Sequence, residues 1–413
     1  MAGPMPTGEP APPKGELPSQ VLDAAELRTF HAYVHVPFCK VRCGYCDFNT
    51  YTSSELNGFR HSDFVSNLAA ELDLSRRVIE ESGLPKRTLA SVFFGGGTPT
   101  LLPARDLVAS LALLRDAFGI SSGAEITTEA NPDTVDIEYL QVLRDGSFNR
   151  VSFGMQSAVP EVLQTLERTH NPANVELGVR AAKAVGLQTS VDLIYGAPGE
   201  SLQQWQISVD AALAMEPDHI SAYALIVEEG TKLARDIKAG KLSEPDEDLQ
   251  ADKYEYLDQR LDEAGYEWYE LSNWSKTPQT RSAHNRAYWL GNDWWGYGAG
   301  AHSHIGGVRW WNAKHPTAYA QRLNEGLSPA IGREVLDTEN QAIERVMLES
   351  RLREGVAIDV VKQANPHAAG FIAELVAQQL IDGRAAIAGT LVLTRTGRLL
   401  ADAVLRRILG YNG

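Results

Sequence analysis

The sequence is poor in cysteine, in long apolar runs and in positive charge, and each shortage excludes a class of protein. Only three of the 413 residues are cysteine, too few for a disulfide framework, which predicts a reducing, cytoplasmic compartment. No apolar run reaches the roughly 18–20 residues that span a bilayer, and the first residues lack the pattern of a signal peptide. Lys and Arg number 38 against 53 Asp and Glu, and the net charge of −15 argues against nucleic-acid binding.

The three cysteines that are present, Cys39, Cys43 and Cys46, stand on one short stretch at C-x₃-C-x₂-C spacing. Three thiolates on a tight loop can hold three irons of a 4Fe-4S cluster and leave the fourth iron open to a small ligand. This is the arrangement of radical S-adenosylmethionine (SAM) proteins, in which SAM binds the open iron. The alternative is a structural zinc site, which needs four closed ligands and usually a second cysteine pair that this chain lacks. We therefore predict a 4Fe-4S cluster and SAM as cofactors.

From Ala32 onward, short apolar strands alternate with amphipathic helices. Six strands are predicted, each leading into a loop and a helix, over residues 33–36, 89–94, 125–129, 150–153, 188–194 and 219–225. Mostly apolar strands of this kind are typical of a parallel sheet covered by helices. Eight such units close a barrel, so six predict an α/β fold with an open, three-quarter βα barrel.

The pattern divides the chain into four regions. Residues 1–28 are rich in Pro, Gly and Ala and are predicted to be a disordered extension, and residues 29–235 form the barrel. Residues 236–335 carry most of the tryptophans, which predicts either a small aromatic core or a flat apolar ligand site. Residues 336–413 are predicted to form a smaller α+β module resembling a winged helix, with a hairpin over residues 387–394 and a final helix.

Polar or otherwise special residues follow all six strands, where the functional groups of α/β barrels lie. They are the cysteine loop, the glycine run 95–97 with Thr98, Glu129, Gln156, Asp192 and the pair Tyr223-Ala224. Glycines let a ligand approach the backbone, carboxylates accept from hydroxyl or amino groups, and Arg168 is suited to a carboxylate. Each residue alone could belong to a turn, a cap or a solvated helix end. Their shared position favours a single site.

Six motifs in this order resemble the coproporphyrinogen dehydrogenase family of radical SAM proteins, over about residues 30–410. They are YVHVPFC ending at Cys39, FGGGTP at 94–99, TEANP at 128–132, SFGMQS at 152–157, LERTH at 166–170 and DLIYGAPG at 192–199. The resemblance implies that the three cysteines bind the cluster. It also implies that SAM contacts Tyr33, Tyr45, Gly96, Gly97, Thr98, Glu129, Gln156, Arg168, Asp192 and Ala224.

Two features favour the heme chaperone branch of that family. The dehydrogenases carry one more cysteine two residues after the third, where this chain has Phe48. The chaperones resemble this chain in the motif H-N-x-x-Y-W at 284–289, which is associated with heme binding and implies His284 as a heme contact. Without that resemblance, a hydrogen-bonded core histidine is the alternative. The resemblance implies delivery of heme to acceptor proteins, such as respiratory enzymes at the membrane, and an electron donor for the cluster.

Two other functions share the radical SAM motifs. An oxygen-independent coproporphyrinogen III dehydrogenase has all the SAM motifs, so only Phe48 and the His284 motif distinguish it from a chaperone. A radical SAM enzyme acting on RNA is disfavoured by the acidic charge and by the lack of an appended basic domain. The sequence leaves open whether the chain is an enzyme, which protein accepts heme, and whether the chain forms a homodimer.

Overall fold

The computed structural model describes residues 8–56 and 58–411, which form fifteen strands and sixteen α-helices in the described part of the chain. The strands are β1 (Glu9–Pro10), β2 (Phe30–Val36), β3 (Leu89–Gly96), β4 (Ile120–Ala130), β5 (Arg150–Gln156), β6 (Gln188–Tyr195), β7 (His219–Ala224), β8 (Glu267–Glu270), β9 (Asn273–Ser275), β10 (Asp293–Tyr297), β11 (His302–Ile305), β12 (Val308–Asn312), β13 (Ala330–Val335), β14 (Val356–Ala357) and β15 (Thr390–Leu391). The helices are α1 (Phe64–Glu81), α2 (Ala104–Phe118), α3 (Ile137–Asp145), α4 (Pro160–Thr165), α5 (Pro172–Ala184), α6 (Leu202–Ala214), α7 (Lys232–Lys238), α8 (Glu247–Glu263), α9 (Ala283–Trp289), α10 (Pro316–Asn324), α11 (Thr338–Glu349), α12 (Ile358–Ala364), α13 (Ala368–Ala377), α14 (Gly383–Ile387), α15 (Arg395–Leu399) and α16 (Ala401–Ile408).

One large sheet organises the molecule. Strands β2 to β7 lie side by side in chain order and are all parallel, which confirms the predicted α/β fold with six βα units. The sheet does not close on itself. Strand β10 adds to β2 in parallel, followed by β11, β12, β13 and β1, while β9 and β8 extend the edge beyond β7. The carboxyl ends of the parallel strands therefore share one open rim, where ligands of such sheets bind.

Side chains alternate between the two faces of the parallel strands, which separates an apolar outer layer from a polar interior. On β2, Ala32 and Val34 point toward the covering helices and are fully buried in the main core. The intervening residues His31, Tyr33 and His35 share the opposite face, because successive side chains of a strand point to opposite sides. The other five strands repeat this pattern, so the inside of the partial barrel is lined largely by polar side chains.

Residues 8–28 are ordered, which corrects the prediction of a disordered extension over residues 1–28. Strand β1 pairs with β13, and Val21 and Ala25 are 0% and 1% exposed. The Arg28 side chain donates to the buried carboxylate of Asp293 at 2.8 Å. These partners lie far away in the chain, so composition alone could not show that the segment has a surface to pack against. Residues 1–7 lie outside the described residues.

The aromatic-rich segment 236–335 continues the barrel instead of forming a separate unit. It supplies β8 to β13 to the two edges of the sheet, and Trp274, Trp295 and Trp310 are buried in the same core as the barrel strands. The rings of Trp295 and Trp310 meet edge to face, with centroids 4.9 Å apart. Of the two predictions for these tryptophans, the structure favours the aromatic core.

The C-terminal module has a core of its own, built from residues such as Val346, Val361 and Ile408. The predicted hairpin over residues 387–394 is wrong. Strand β15 pairs instead with β14, which lies before α12, α13 and α14 in the chain. A glycine turn is visible in a sequence, but a distant partner strand is not. The final helix is divided into α15 and α16.

Within residues 8–56 and 58–411, the helices are all too short or too polar to cross a bilayer.

Candidate functional site

The cysteine loop leaves the carboxyl end of β2 and is closed at its base. The Cys39 amide donates to the carbonyl of Tyr51 at 3.0 Å, and the Tyr51 amide donates to Pro37 at 2.7 Å. At its tip, the Gly44 amide donates to Leu166, and the Gly44 carbonyl accepts from the amide of Leu233. The loop is thus fixed at both ends on the rim of the barrel.

The three thiols are partly exposed and free of disulfides. Burial, with smaller contributions from the neighbouring cysteines, raises the pKa of Cys46 to about 12 and also raises the pKa of Cys39. Thiolates in such a place need a cation. The Arg168 guanidinium donates to the Cys43 sulfur at 3.5 Å, and bound iron would supply the remaining positive charge. In the described residues, no three Cys, His, Asp or Glu side chains surround a point suited to one metal ion, whereas a 4Fe-4S cluster takes each thiolate at a separate iron.

The glycine run packs directly against the base of the cysteine loop. The amide of Gly97 donates to Val36 at 2.8 Å, and the amide of Thr98 donates to Phe38 at 2.7 Å. Gly96 has φ of +111°, and a Cβ there would lie 2.5 Å from the His35 ring. Only glycine fits this position. The Gly96 amide donates to Glu129 at 3.1 Å, which links the ends of β3 and β4.

Two buried carboxylates and one guanidinium meet inside the rim. Burial and the charge of Asp192 raise the pKa of Glu129 to about 8, against the opposing effect of the Gly96 amide and Arg168. Burial also raises the pKa of Asp192, which accepts from the Ser152 hydroxyl at 2.8 Å. Arg168 donates to the Gly154 carbonyl at 3.2 Å, but its buried Nε has no partner. This set has spare acceptors and a spare donor, which fits a ligand carrying hydroxyl, amino and carboxylate groups.

The remaining residues assigned to SAM lie at the same rim. Gln156 has a left-handed backbone, φ +62°, at an irregularity where β5 pairs with β6, a strained geometry that is enriched at functional sites. Tyr45 packs on an apolar cluster that includes Leu166 and Leu225, and Ala224 ends β7. The structure therefore places the three cysteines and nine of the ten SAM residues at this rim, whereas Tyr33 lies deeper in the barrel, where its ring stacks on His284. Their individual contacts with SAM stay predictions.

Unlike the residues assigned to the cluster and SAM, His284 lies on α9, a helix that closes the end of the barrel opposite the cysteine loop. The carboxylate of Glu125 on β4 caps the N-terminus of this helix by accepting from the amides of Ala283 at 2.9 Å and His284 at 3.2 Å. Arg150 of β5 adds a hydrogen bond to the Thr280 carbonyl at 2.8 Å. We call α9 and its N-cap Ser282 the barrel plug.

Both ring nitrogens of His284 are occupied. Nδ1 is hydrogen-bonded to Ser91 at 2.7 Å, and Nε2 to the Tyr288 hydroxyl at 2.9 Å. The ring stacks on Phe93 at 5.1 Å and on Tyr33 at 6.4 Å, and it is 1% exposed. Burial holds its pKa well below the usual value. To meet heme iron, one of these nitrogens would have to give up its hydrogen bond, and the plug would have to move.

Some residues of the site escaped sequence reasoning. Asn49 joins the cysteine loop to β10–β12 by donating to the carbonyls of Ala299 at 3.0 Å and Lys314 at 2.8 Å. Ser91 sits between His31 and His284, and is hydrogen-bonded to each at 2.7 Å. Their only signal in the sequence is a polar residue facing inward on a strand or following the third cysteine, which is too common a feature to identify a site.

Comparison with known proteins agrees with this geometry. The model of the radical SAM superfamily matches residues 33–212. The heme chaperone HemW of Mycobacterium tuberculosis is 44% identical over 92% of this chain and 95% of its own length, and that of Bacillus subtilis is 33% identical over 79% of this chain and 84% of its own. The structure of coproporphyrinogen III oxidase (HemN) from Escherichia coli superposes with a TM-score of 0.80 over 95% of this chain and 93% of its own, at 22% identity, which establishes a shared fold.

Proposed function

The chain belongs to the HemW family of radical SAM proteins, and from that membership we propose that it is a heme chaperone that binds a 4Fe-4S cluster, SAM and heme and delivers heme to acceptor proteins. The observation that carries the proposal is the loop of three free thiols, which opens onto Glu129, Asp192 and Arg168 at one rim of the barrel. The family identity extends over nearly the whole chain, including the C-terminal regions that a radical SAM barrel alone does not explain.

The residues at the rim would divide the work of binding. Cys39, Cys43 and Cys46 would each hold one iron, and Gly96 and Gly97 would let the ligand approach the backbone. Arg168, with its unpartnered Nε, would pair with a carboxylate, while Glu129 and Asp192 would accept from hydroxyl or amino groups. When bound, a reduced cluster supplies the electron that can cleave SAM.

We favour the chaperone over the dehydrogenase because of the position after the third cysteine. Phe48 is 58% exposed there and offers an apolar ring to the solvent where a dehydrogenase has a thiol. A bound porphyrin could use that ring, but phenylalanine can neither bind iron nor transfer a proton. A thiol at this position is not required for the cluster, since three thiolates hold three of its irons, so the difference at Phe48 separates the two branches without affecting cluster binding.

We further propose that the protein works in the cytoplasm and meets its acceptors at the membrane surface. Respiratory enzymes are the acceptors that the family resemblance suggests, and a reduced electron carrier would serve the cluster. The HemW relatives are named heme chaperones, which supports heme as a ligand of this chain. The acidic composition disfavours nucleic acid as a partner.

An anaerobic comparison tests the function. Protein reconstituted with iron and sulfide is given SAM, a reductant and coproporphyrinogen III in one experiment and is titrated with heme in another, and coproporphyrinogen III oxidase of Escherichia coli serves as the active control. We expect heme binding without porphyrin formation. Multiple turnovers of porphyrin formation would instead favour the dehydrogenase.

A further inference from the structure

The barrel plug is held from two sides. On the inside, Glu125 caps α9 and Ser91 is hydrogen-bonded to His284. On the outside, α9 contacts α11 of the C-terminal module, and residues 351–354 lie between α11 and β14. Because His284 is 1% exposed on the inner side of α9, heme can reach it only when α9 moves. The outer contacts therefore bear on how heme enters.

The segment 351–354 is fixed by its backbone to the end of β8. The Leu271 amide donates to the Arg351 carbonyl at 3.0 Å, and the Arg353 amide donates to the Tyr269 carbonyl at 2.9 Å. Leu352, which lies between these two contacts, is 1% exposed. The segment thus has a firm position of its own, and its charged side chains are presented to α9 from a fixed place.

Two side chains of this segment contact the plug. Glu354 accepts from Arg286 of α9 at 3.0 Å and from Arg281, just before the N-cap, at 3.2 Å. The guanidinium of Arg351 lies over the Trp289 ring, 5.7 Å from its centroid, within the range of a cation–π interaction. Arg286 and Trp289 both belong to the histidine motif. The C-terminal module therefore holds the motif helix near both of its ends.

These outer contacts are of a kind that can open and close. The side chains of Arg286 and Glu354 are 24% and 48% exposed, and ion pairs in contact with water are individually weak and screened by salt. Arg351 has a second partner, Asp402 of α16 at 2.7 Å, which would keep it in place when Trp289 leaves. The contacts can therefore break while the core of the C-terminal module stays intact.

We propose that the segment 351–354 is a latch that keeps the barrel plug closed over His284, and that its release admits heme. This inference rests on the proposed chaperone function. Heme would favour the open form because it makes contacts there that the closed form denies it. One nitrogen of His284 would exchange its hydrogen bond for iron, and Arg286, once free of Glu354, would be available to a heme carboxylate.

Hydrogen exchange in the heme-free, cluster-bearing protein tests the latch. The amides of Ala283 and His284 donate to Glu125 while the plug is closed, so their exchange reports its opening. Glu354→Gln removes two exposed ion pairs, and exchange at these amides should become about 2- to 30-fold faster. The rate of heme association should rise by a similar factor, because only the open form accepts heme.

Matched variants show whether the effect belongs to the latch. Glu374→Gln breaks an exposed ion pair with Arg407 inside the C-terminal module and should behave as wild type. Arg286→Gln should also speed exchange. The double variant with Glu354→Gln should show less than the product of the two single effects, because the two residues share one ion pair. A general loss of stability would not produce this pattern.

The possible outcomes separate the latch from the function. Exchange and heme association both unchanged in Glu354→Gln would overturn the latch, and so would faster exchange without faster heme association. Either result would leave heme binding itself intact. A wild-type protein that binds no heme would refute the chaperone function, and the exchange rates would then decide by themselves whether the segment 351–354 holds the plug.

Discussion

The barrel plug predicts that His284 is needed for stability before it can matter for heme. The perturbation is His284→Ala. It removes the hydrogen bond between the imidazole and the Tyr288 hydroxyl, and one of the two hydrogen bonds of the Ser91 side chain. It also removes a ring stacked on Phe93 and Tyr33 inside the barrel.

The expected cost follows from these contacts. A buried hydroxyl left without its partner costs about 1–3 kcal/mol, and the hydrogen bond lost at Ser91 contributes about 0.5–1.5 kcal/mol. Aromatic contacts add about 0.5–1.5 kcal/mol beyond the area that they bury. Taking each near 1 kcal/mol, the free energy of unfolding should fall by about 3 kcal/mol, a large share of the stability of a typical domain.

Chemical unfolding of the cluster-bearing protein measures this loss. Ser91→Ala is the matched variant, because it breaks the same chain of hydrogen bonds while keeping the imidazole. It should cost about 2 kcal/mol, since Ser91 makes hydrogen bonds to both His31 and His284. His367→Ala, on the surface, should cost nothing measurable. If the free energy of unfolding of His284→Ala lies within about 0.5 kcal/mol of wild type, the range of an ordinary surface substitution, the plug does not stabilise the end of the barrel that α9 closes.

Three further predictions concern the rim and the N-terminal segment. Cys43→Ala should retain no 4Fe-4S absorption after reconstitution, because two thiolates cannot hold the cube, and a full iron content in this variant would contradict the loop assignment. SAM affinity should rise as the pH is raised through about 8, where Glu129 ionises and becomes a stronger acceptor, and Glu129→Gln should flatten that profile; an unchanged profile would exclude Glu129 from the site. The sign for stability is opposite: the raised pKa of Glu129 means that the SAM-free folded state binds more protons than the unfolded chain, so its stability should fall as the pH rises between about 4.5 and 8. Asp293→Ala should destabilise the fold by about 3–5 kcal/mol, since Arg28 and Arg87 would lose a fully buried carboxylate at 2.8 and 2.5 Å; unfolding as in wild type would show that the ordered N-terminal segment contributes little.

The rim of the barrel was predictable because its pieces are local. C-x₃-C-x₂-C is read from eight consecutive residues, and the strand-end positions of Glu129 and Asp192 follow from the alternation of strands and helices. A parallel sheet brings all its carboxyl ends to one side, so six separate motifs become one site without any knowledge of the contacts.

The environment of each histidine was not predictable. His284 lies in an aromatic-rich sequence, and its motif indicates a heme contact. Only packing decides that Ser91 and Tyr288 form hydrogen bonds with both nitrogens of its ring. The same holds for residues 8–28, whose partners on β10 and β13 come from the far end of the chain.

The sequence by itself thus determined the family, the strand order of the barrel and the cluster loop, because these depend on neighbours along the chain. The tertiary structure alone decided that β10 to β13 extend the barrel, that α9 closes the end opposite the cysteine loop, and that both ring nitrogens of His284 are hydrogen-bonded. These depend on side chains that meet across hundreds of residues, where hydrogen-bond partners and burial are set by the packing of the whole sheet.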